Sequence, residues 1–241
     1  MADGLAYFKK VYNDIPNWVQ IMYDYNPKML DYYTDIRGEA FKDSELSAKE
    51  KDEFIASMNA GRLYKRSMLY HTQAAIIKGS QIGDLIEYFL VAYVYSGKDA
   101  LELSLAALEN ALIQKEKTVN ERKNNYATDK EVFEQIIEWT NDSDNTLVKK
   151  VYTLLDDSKN HNSPEIIDLI MSDGKVSRKK KYLNLIGQYI TELRGNAVGP
   201  LIEKARNIGV TEAELADLGY IVMITAGIPS WFELSDHLNS K

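Results

Sequence analysis

No cysteine occurs in the 241 residues. Disulfides, thiolate nucleophiles and thiolate metal sites are thereby excluded whatever the fold. Basic residues do not predominate either: 29 Lys and Arg against 36 Asp and Glu give a formal net charge of −7. A nucleic-acid binder needs concentrated positive charge to displace phosphate counterions, so that class is set aside. The one basic run, Arg178-Lys179-Lys180-Lys181, is expected to mark the exposed first turn of a helix. Long apolar runs are missing; none approaches the roughly 20 residues a membrane-spanning helix requires. The opening residues Met1-Ala2-Asp3-Gly4-Leu5 lack a basic segment followed by an apolar stretch, and a cytoplasmic location is expected. Apolar–polar alternation is scarce, which argues against a sheet protein. Proline is limited to five residues. Three of them, Pro16, Pro27 and Pro164, stand where helices are expected to open, because a first-turn residue has no intrahelical partner for an N–H.

What is present is helical periodicity. After Asn26-Pro27, the residues Met29, Leu30, Tyr33, Ile36, Arg37, Ala40 and Phe41 recur at three-to-four spacing. Ser47-Ala48-Lys49-Glu50 is a capping box that opens a helix reaching about Ala60 and stopping at Gly61. The next helix is expected from about Tyr64 to Lys78, closed by Gly79. Ile82 to Tyr95 is apolar on every side and therefore central, inside the fold or inside an oligomer. Gly97 ends it, and Asp99 is expected to cap a fourth helix carrying Leu101, Leu105, Leu108 and Leu112. The Lys-, Glu- and Asn-rich stretch that follows reads as a charged linker or a helix extension.

The second half repeats the first at an offset of 130 residues. Leu46-Ser47-Ala48-Lys49 answers to Val176-Ser177-Arg178-Lys179, Ala75 and Gly79 to Ala205 and Gly209, and Gly97 to Gly227. Pro164 lies seven residues nearer its anchor than Pro27 does, close to two helical turns, so the helix is shortened without rotating its apolar face. The expected organisation is a first helical domain at 1–115, a linker or helix extension at 116–130, and a second, degenerate helical domain at 131–241.

The segment Asn26-Pro27, Tyr33, Ala40-Phe41-Lys42-Asp43 and Leu46-Ser47-Ala48-Lys49-Glu50-Lys51, followed by Tyr70-His71-Thr72, Ala75, Gly79 and Gly97, resembles the carboxymuconolactone decarboxylase family, which includes AhpD-like alkylhydroperoxidases. Gly209-Val210-Thr211-Glu212, Glu214-Leu215 and Ala226-Gly227-Ile228-Pro229 are similar to the same family. The resemblance implies an all-α fold of tandem duplicated AhpD-like helical units that forms a homo-oligomer, a trimer by preference. In the hydroperoxidase branch, the resemblance lays two cysteines onto Tyr64 and Ser67, the relay histidine onto His71 and the relay acid onto Asp52. The relay residues match in type and the redox residues do not. Peroxide reduction through a thiolate is therefore excluded, since a serine hydroxyl cannot close a disulfide. The decarboxylase branch, acting on a small acidic lactone, needs no cysteine.

Ser67 and His71, four apart on one helix, share a face with Tyr64. One reading makes His71 an acid–base catalyst, Asp52 its orienter, and Tyr64 and Ser67 hydrogen-bond donors, with Arg62 and Arg66 holding a small anionic or carbonyl-containing substrate. The chemistry is then of decarboxylase, lyase or isomerase type. The other makes the protein a non-catalytic oligomeric binding or scaffold protein, with His71 bonded at a helix contact and Asp52 favouring its helix dipole. No cofactor is called for. A metal site is not supported, because His161, in the loop 157–162, and His237 lack ligand-type partners at helical spacing. The clustered Tyr23, Tyr25, Tyr32 and Tyr33 are expected to pack the first helices over the core or line a subunit contact. At the offset positions the second half carries Tyr182, Arg194, Ala197 and Leu201, with Pro200 expected to kink its helix, and it reads as structural.

Overall fold

The computed structural model describes residues 3–123, 125–156 and 159–239, and among these the protein is helical with no β-strand. Helix α1 (Gly4–Tyr12) is capped by Asp3, whose carboxylate accepts from Ala6 N–H. Pro16 stands at the start of α2 (Asn17–Tyr25). Asn26 then caps α3 (Pro27–Ala40) by accepting from Met29 N–H. The expected capping box is formed: Ser47 Oγ accepts from Glu50 N–H, and the Glu50 carboxylate returns to Ser47 N–H at the head of α4 (Ala48–Gly61). Helices α5 (Lys65–Ile77), α6 (Ile82–Ser96) and α7 (Lys98–Gln114) follow. Gly79 and Gly97 close α5 and α6 with φ of 91° and 71°, a backbone that a side chain would strain.

After α7 come α8 (Asp129–Trp139), α9 (Thr146–Leu154) and the short α10 (Pro164–Ile170). From there the register of the first half returns. Helix α11 (Arg178–Thr191) stands 130 positions after α4, and α13 (Glu212–Ala226) 130 after α6. Helix α14 (Ile228–Ser235) opens at the same offset from α7. Leu63 and Leu193, which leave α4 and α11 with left-handed φ of 59° and 56°, keep the offset too. The place of α5 is taken by a 3₁₀ turn (Gly195–Ala197) and α12 (Gly199–Asn207).

The halves meet through reciprocal buried ion pairs. Lys51 Nζ on α4 lies 2.9 Å from Asp217 of α13, and Lys181 Nζ on α11 lies 2.8 Å from Glu87 of α6. Each lysine also donates to a carbonyl, Lys42 O at 2.8 Å and Ser172 O at 2.9 Å. Each carboxylate accepts a backbone N–H, from Leu46 at 2.9 Å and Val176 at 3.0 Å. All of these residues pair off at the 130 offset, so the seam is self-complementary in the manner of a two-fold contact. Between the two ion pairs Ser57 Oγ donates to Tyr88 O at 2.6 Å, and Asn184 donates to Phe54 O at 3.2 Å. The hydrophobic packing crosses the seam as well: Phe54, Ile55 and Met58 share one cluster with Leu183, Ile186, Leu215 and Leu218.

Several sequence expectations change. Helix α6 is buried within one chain by α4, α7, α10 and α11, so no oligomer is needed to cover it. Asp99 does not cap α7, whose N-cap is Gly97 without a side-chain bond. No helix extends past Gln114: the described residues up to Thr128 are irregular, held by Trp139 Nε1–H to Asn120 O at 3.0 Å and by buried Tyr126, which bonds Gln135 at 3.0 Å. Helix α10, which Ser163-Pro164 opens and the sequence expects to run to Asp173-Gly174, ends at Ile170. Pro200 does not kink a helix; it sits in the first turn of a new one, where its missing N–H costs nothing. The fourth residue of the basic run, Lys181, is buried in the seam and not exposed, because Glu87 and a carbonyl receive its charge there. Among the described residues no helix is long and apolar enough to cross a membrane.

Candidate active site

The functional candidates converge on one face of α5. Asp52 sits in the second turn of α4 with its carboxylate wholly buried, and α5 packs along α4 so that His71 comes opposite it. His71 Nδ1 and Asp52 Oδ1 are 2.7 Å apart. The other carboxylate oxygen, Asp52 Oδ2, accepts from Lys78 Nζ, which also donates to Ala48 O at 3.3 Å. Burial alone would raise the Asp52 carboxyl, but the hydrogen bond and charge of His71, with Lys78 and Arg37, hold it below the usual carboxylate range. Burial holds the His71 imidazole below 6.5, against the pull of Asp52. At neutral pH the pair is therefore a carboxylate and a neutral imidazole. Lacking a proton to give, the carboxylate can only accept, so Nδ1 carries the hydrogen and Nε2 keeps a lone pair.

A cavity of about 310 Å³ opens against this imidazole, lined by Tyr64, Ser67 and His71 of the expected set and by Arg66 at its edge. Asp52 lies behind His71, outside the lining. Arg62 is not brought in: it pairs with Glu192 at 3.0 Å and donates to Thr225 O at 3.4 Å. Ser67 Oγ accepts from Asn59 Nδ2 at 2.9 Å, which leaves its own hydrogen free for a ligand. Tyr64 is half exposed at the entrance.

Four aromatic residues complete the wall, Tyr12, Trp18, Tyr33 and Tyr70. Of the expected tyrosine cluster only Tyr33 lines the cavity; Tyr23, Tyr25 and Tyr32 face outward. Tyr12 and Trp18 arrive on the first two helices, which fold back over α3 and α5 through Phe8, stacked edge-on against Trp18 at 5.0 Å. Arg37, read from the sequence as one member of an apolar stripe, is a buried part of the lining. A cation within an apolar stripe is the signal that marks it, since burial of a charge requires a reason. The second half contributes Ile224 and Thr225 at the end of α13, so the cavity spans both halves. At the offset positions the second half has Ile167 for Arg37, Tyr182 for Asp52, Leu201 for His71 and Ile208 for Lys78. His161 stands edge-on to Tyr93 at 5.8 Å, and His237 Nε2 lies 2.9 Å from Gly195 O.

No protein-family model matches the sequence, and no curated protein matches it. Among solved structures the chain is similar to a protein of Burkholderia xenovorans provisionally described as a gamma-carboxymuconolactone decarboxylase subunit, with a TM-score of 0.57 and 15% identity. The likeness covers 96% of this chain and 93% of that one. At that identity it speaks for the fold and not for the reaction: the chain has the all-helical carboxymuconolactone decarboxylase-like fold.

Proposed function

We propose that the protein is an acid–base enzyme acting on a small organic acid or carbonyl compound, with His71 as the proton-transfer group. The observation that carries this reading is the buried Asp52–His71 pair at the wall of the cavity. A scaffold would have no use for a buried imidazole that a carboxylate orients at the wall of a cavity. In the proposed chemistry His71 Nε2 removes a proton from carbon beside a carbonyl, or, after taking a proton from water, delivers it to the carbanion left by loss of carbon dioxide, and Asp52 stabilises the imidazolium in either case. Ser67, with its oxygen engaged by Asn59, directs its O–H at the oxygen on which negative charge develops. Tyr64 donates from the entrance. The chain has no thiol to support peroxide reduction.

The test is solvent exchange. In heavy water the protein is incubated with a panel of oxo acids and unsaturated lactone acids, and deuterium entry or carbon dioxide release is followed by NMR. His71→Ala should lower the rate by about 10²–10⁴-fold with the helical fold intact. A rate unchanged by His71→Ala overturns the reading. We also propose that the chain self-associates in the cytoplasm. Ile36, Tyr220, Ile228 and Phe232 are each exposed to 44% or more and give the apolar surface for it. A monomer by light scattering would overturn this.

A further inference from the structure

The cavity is unbalanced in charge. Its eleven lining residues include Arg37 and Arg66 but no Asp or Glu. Behind the wall Asp52 is already answered by Lys78, and His71 is neutral. That leaves Arg37 as a buried cation, 3% exposed, without a carboxylate of its own among the described residues. The carboxylate whose field reaches it is Asp52, already bonded on both oxygens. A guanidinium taken out of water without a paired anion carries an uncompensated desolvation cost.

What surrounds Arg37 lessens that cost without cancelling the charge. Its guanidinium lies over the Phe41 ring at 4.2 Å from the centroid, and Phe41 in turn stacks on His71 at 5.7 Å. Arg37 Nη2 donates to Tyr12 Oη at 3.0 Å, while Nε has no hydrogen-bond partner. With its oxygen accepting from Arg37, Tyr12 has its hydroxyl hydrogen left to give. Burial raises the Tyr12 phenol well above its usual range, so that hydrogen is present at any working pH.

We infer that Arg37 and Tyr12 form the anion-recognising wall of the cavity and restrict its ligand to a small organic monoanion, a carboxylate in the first instance. Arg37 supplies the charge and Tyr12 the hydrogen bond. Trp18, Tyr33 and Tyr70 cover the body of the ligand and turn it toward His71. The role assigned by sequence to Arg62 passes to a residue one helix earlier, and Arg66 draws the anion in from the exposed edge. Recognition rests on the same site as the proposed proton transfer but is measured separately from it.

Benzoate and its neutral isostere benzamide are the probes, titrated calorimetrically against the full chain. The wild type is expected to bind benzoate and to bind benzamide at least about tenfold more weakly, the worth of one charge-assisted contact. Arg37→Gln should abolish the preference, and Arg37→Lys should weaken benzoate by about tenfold by losing the planar fork. Tyr12→Phe, which keeps the ring packing and guards against a folding failure at Arg37, should weaken benzoate by about threefold to tenfold. His71→Ala should keep the preference. Equal binding of the two probes, no binding of either, or a preference that survives both Arg37→Gln and Tyr12→Phe overturns the inference. A benzoate preference alongside unchanged turnover in His71→Ala would remove the proton-transfer reading and leave this one standing.

Discussion

Helix α5 and the segment 130 positions after it both leave a long seam helix through a left-handed leucine and both close on a positive-φ glycine, yet it is α5 that lines the polar cavity at His71. In the first half Asp52 and His71 make a buried acid–base pair. In the second half Tyr182 fills the place of Asp52, its ring met by Lys204 at 5.1 Å and Arg178 at 5.7 Å, and Leu201 replaces the imidazole. The space that corresponds to the cavity mouth is taken by Tyr95 packed on Tyr189 at 4.9 Å, with Arg194 at 5.8 Å from the Tyr95 ring. The seam residues serve both halves at once: Lys51 and Lys181 each hold the other half's carboxylate. A site residue serves one half only. Divergence at Asp52 or His71 positions therefore leaves the shared frame untouched, whereas divergence at a seam lysine breaks a contact in the partner half.

The largest effect is expected at the seam. Lys51→Met leaves Asp217 buried and unpaired, and Lys181→Met does the same to Glu87. Each should cost about 3–5 kcal/mol by urea unfolding, and the two losses should agree with each other. A loss confined to one of them would break the reciprocity. Next comes Glu53, on α4 beside the site, whose offset partner is Leu183. Burial raises the Glu53 carboxyl from 4.5 to about 7, against the hydrogen bond from Ser80 and the charge of Lys49. Its folded value lies above its unfolded one, so its contribution is present below 4.5 and lost as pH rises through about 7. Glu53→Gln should gain up to about 3 kcal/mol relative to the wild type between pH 5 and pH 8. A difference independent of pH would contradict the raised value.

Much of this architecture is legible in the sequence, for local reasons. The capping box at Ser47, the proline starts and the glycine stops each satisfy backbone groups within one turn, so residue type alone locates them. The 130 offset is legible because helix boundaries, not side-chain chemistry, carry it. The wall of the cavity is not. Tyr12, Trp18 and Thr225 reach it from elements far away in the chain, and Arg37 looks like part of a stripe until its burial is seen. Arg62 was expected at the site from proximity along the chain, but Glu192 from the second half holds it elsewhere.

Smaller effects separate the halves further. Ser67→Ala should lower turnover by about tenfold to a hundredfold, the worth of one hydrogen bond to a charge-bearing oxygen, while Ala197→Ser should change nothing in a direct assay of the same reaction. Acid stability differs too. The folded His71 value lies below the unfolded 6.5, so the unfolded chain takes up the proton first, and this contribution is present above 6.5 and lost as pH falls. His71→Leu, which makes the first half resemble the second, should flatten that part of the stability–pH curve in thermal melts.

The most direct measurement is the tautomer and titration of His71 by nitrogen-15 NMR of the imidazole. Hydrogen on Nδ1 and a pKa below 6.5 are expected, with Asp52→Asn disturbing both. Hydrogen on Nε2, or titration at or above the ordinary histidine value, would contradict a base held ready by Asp52.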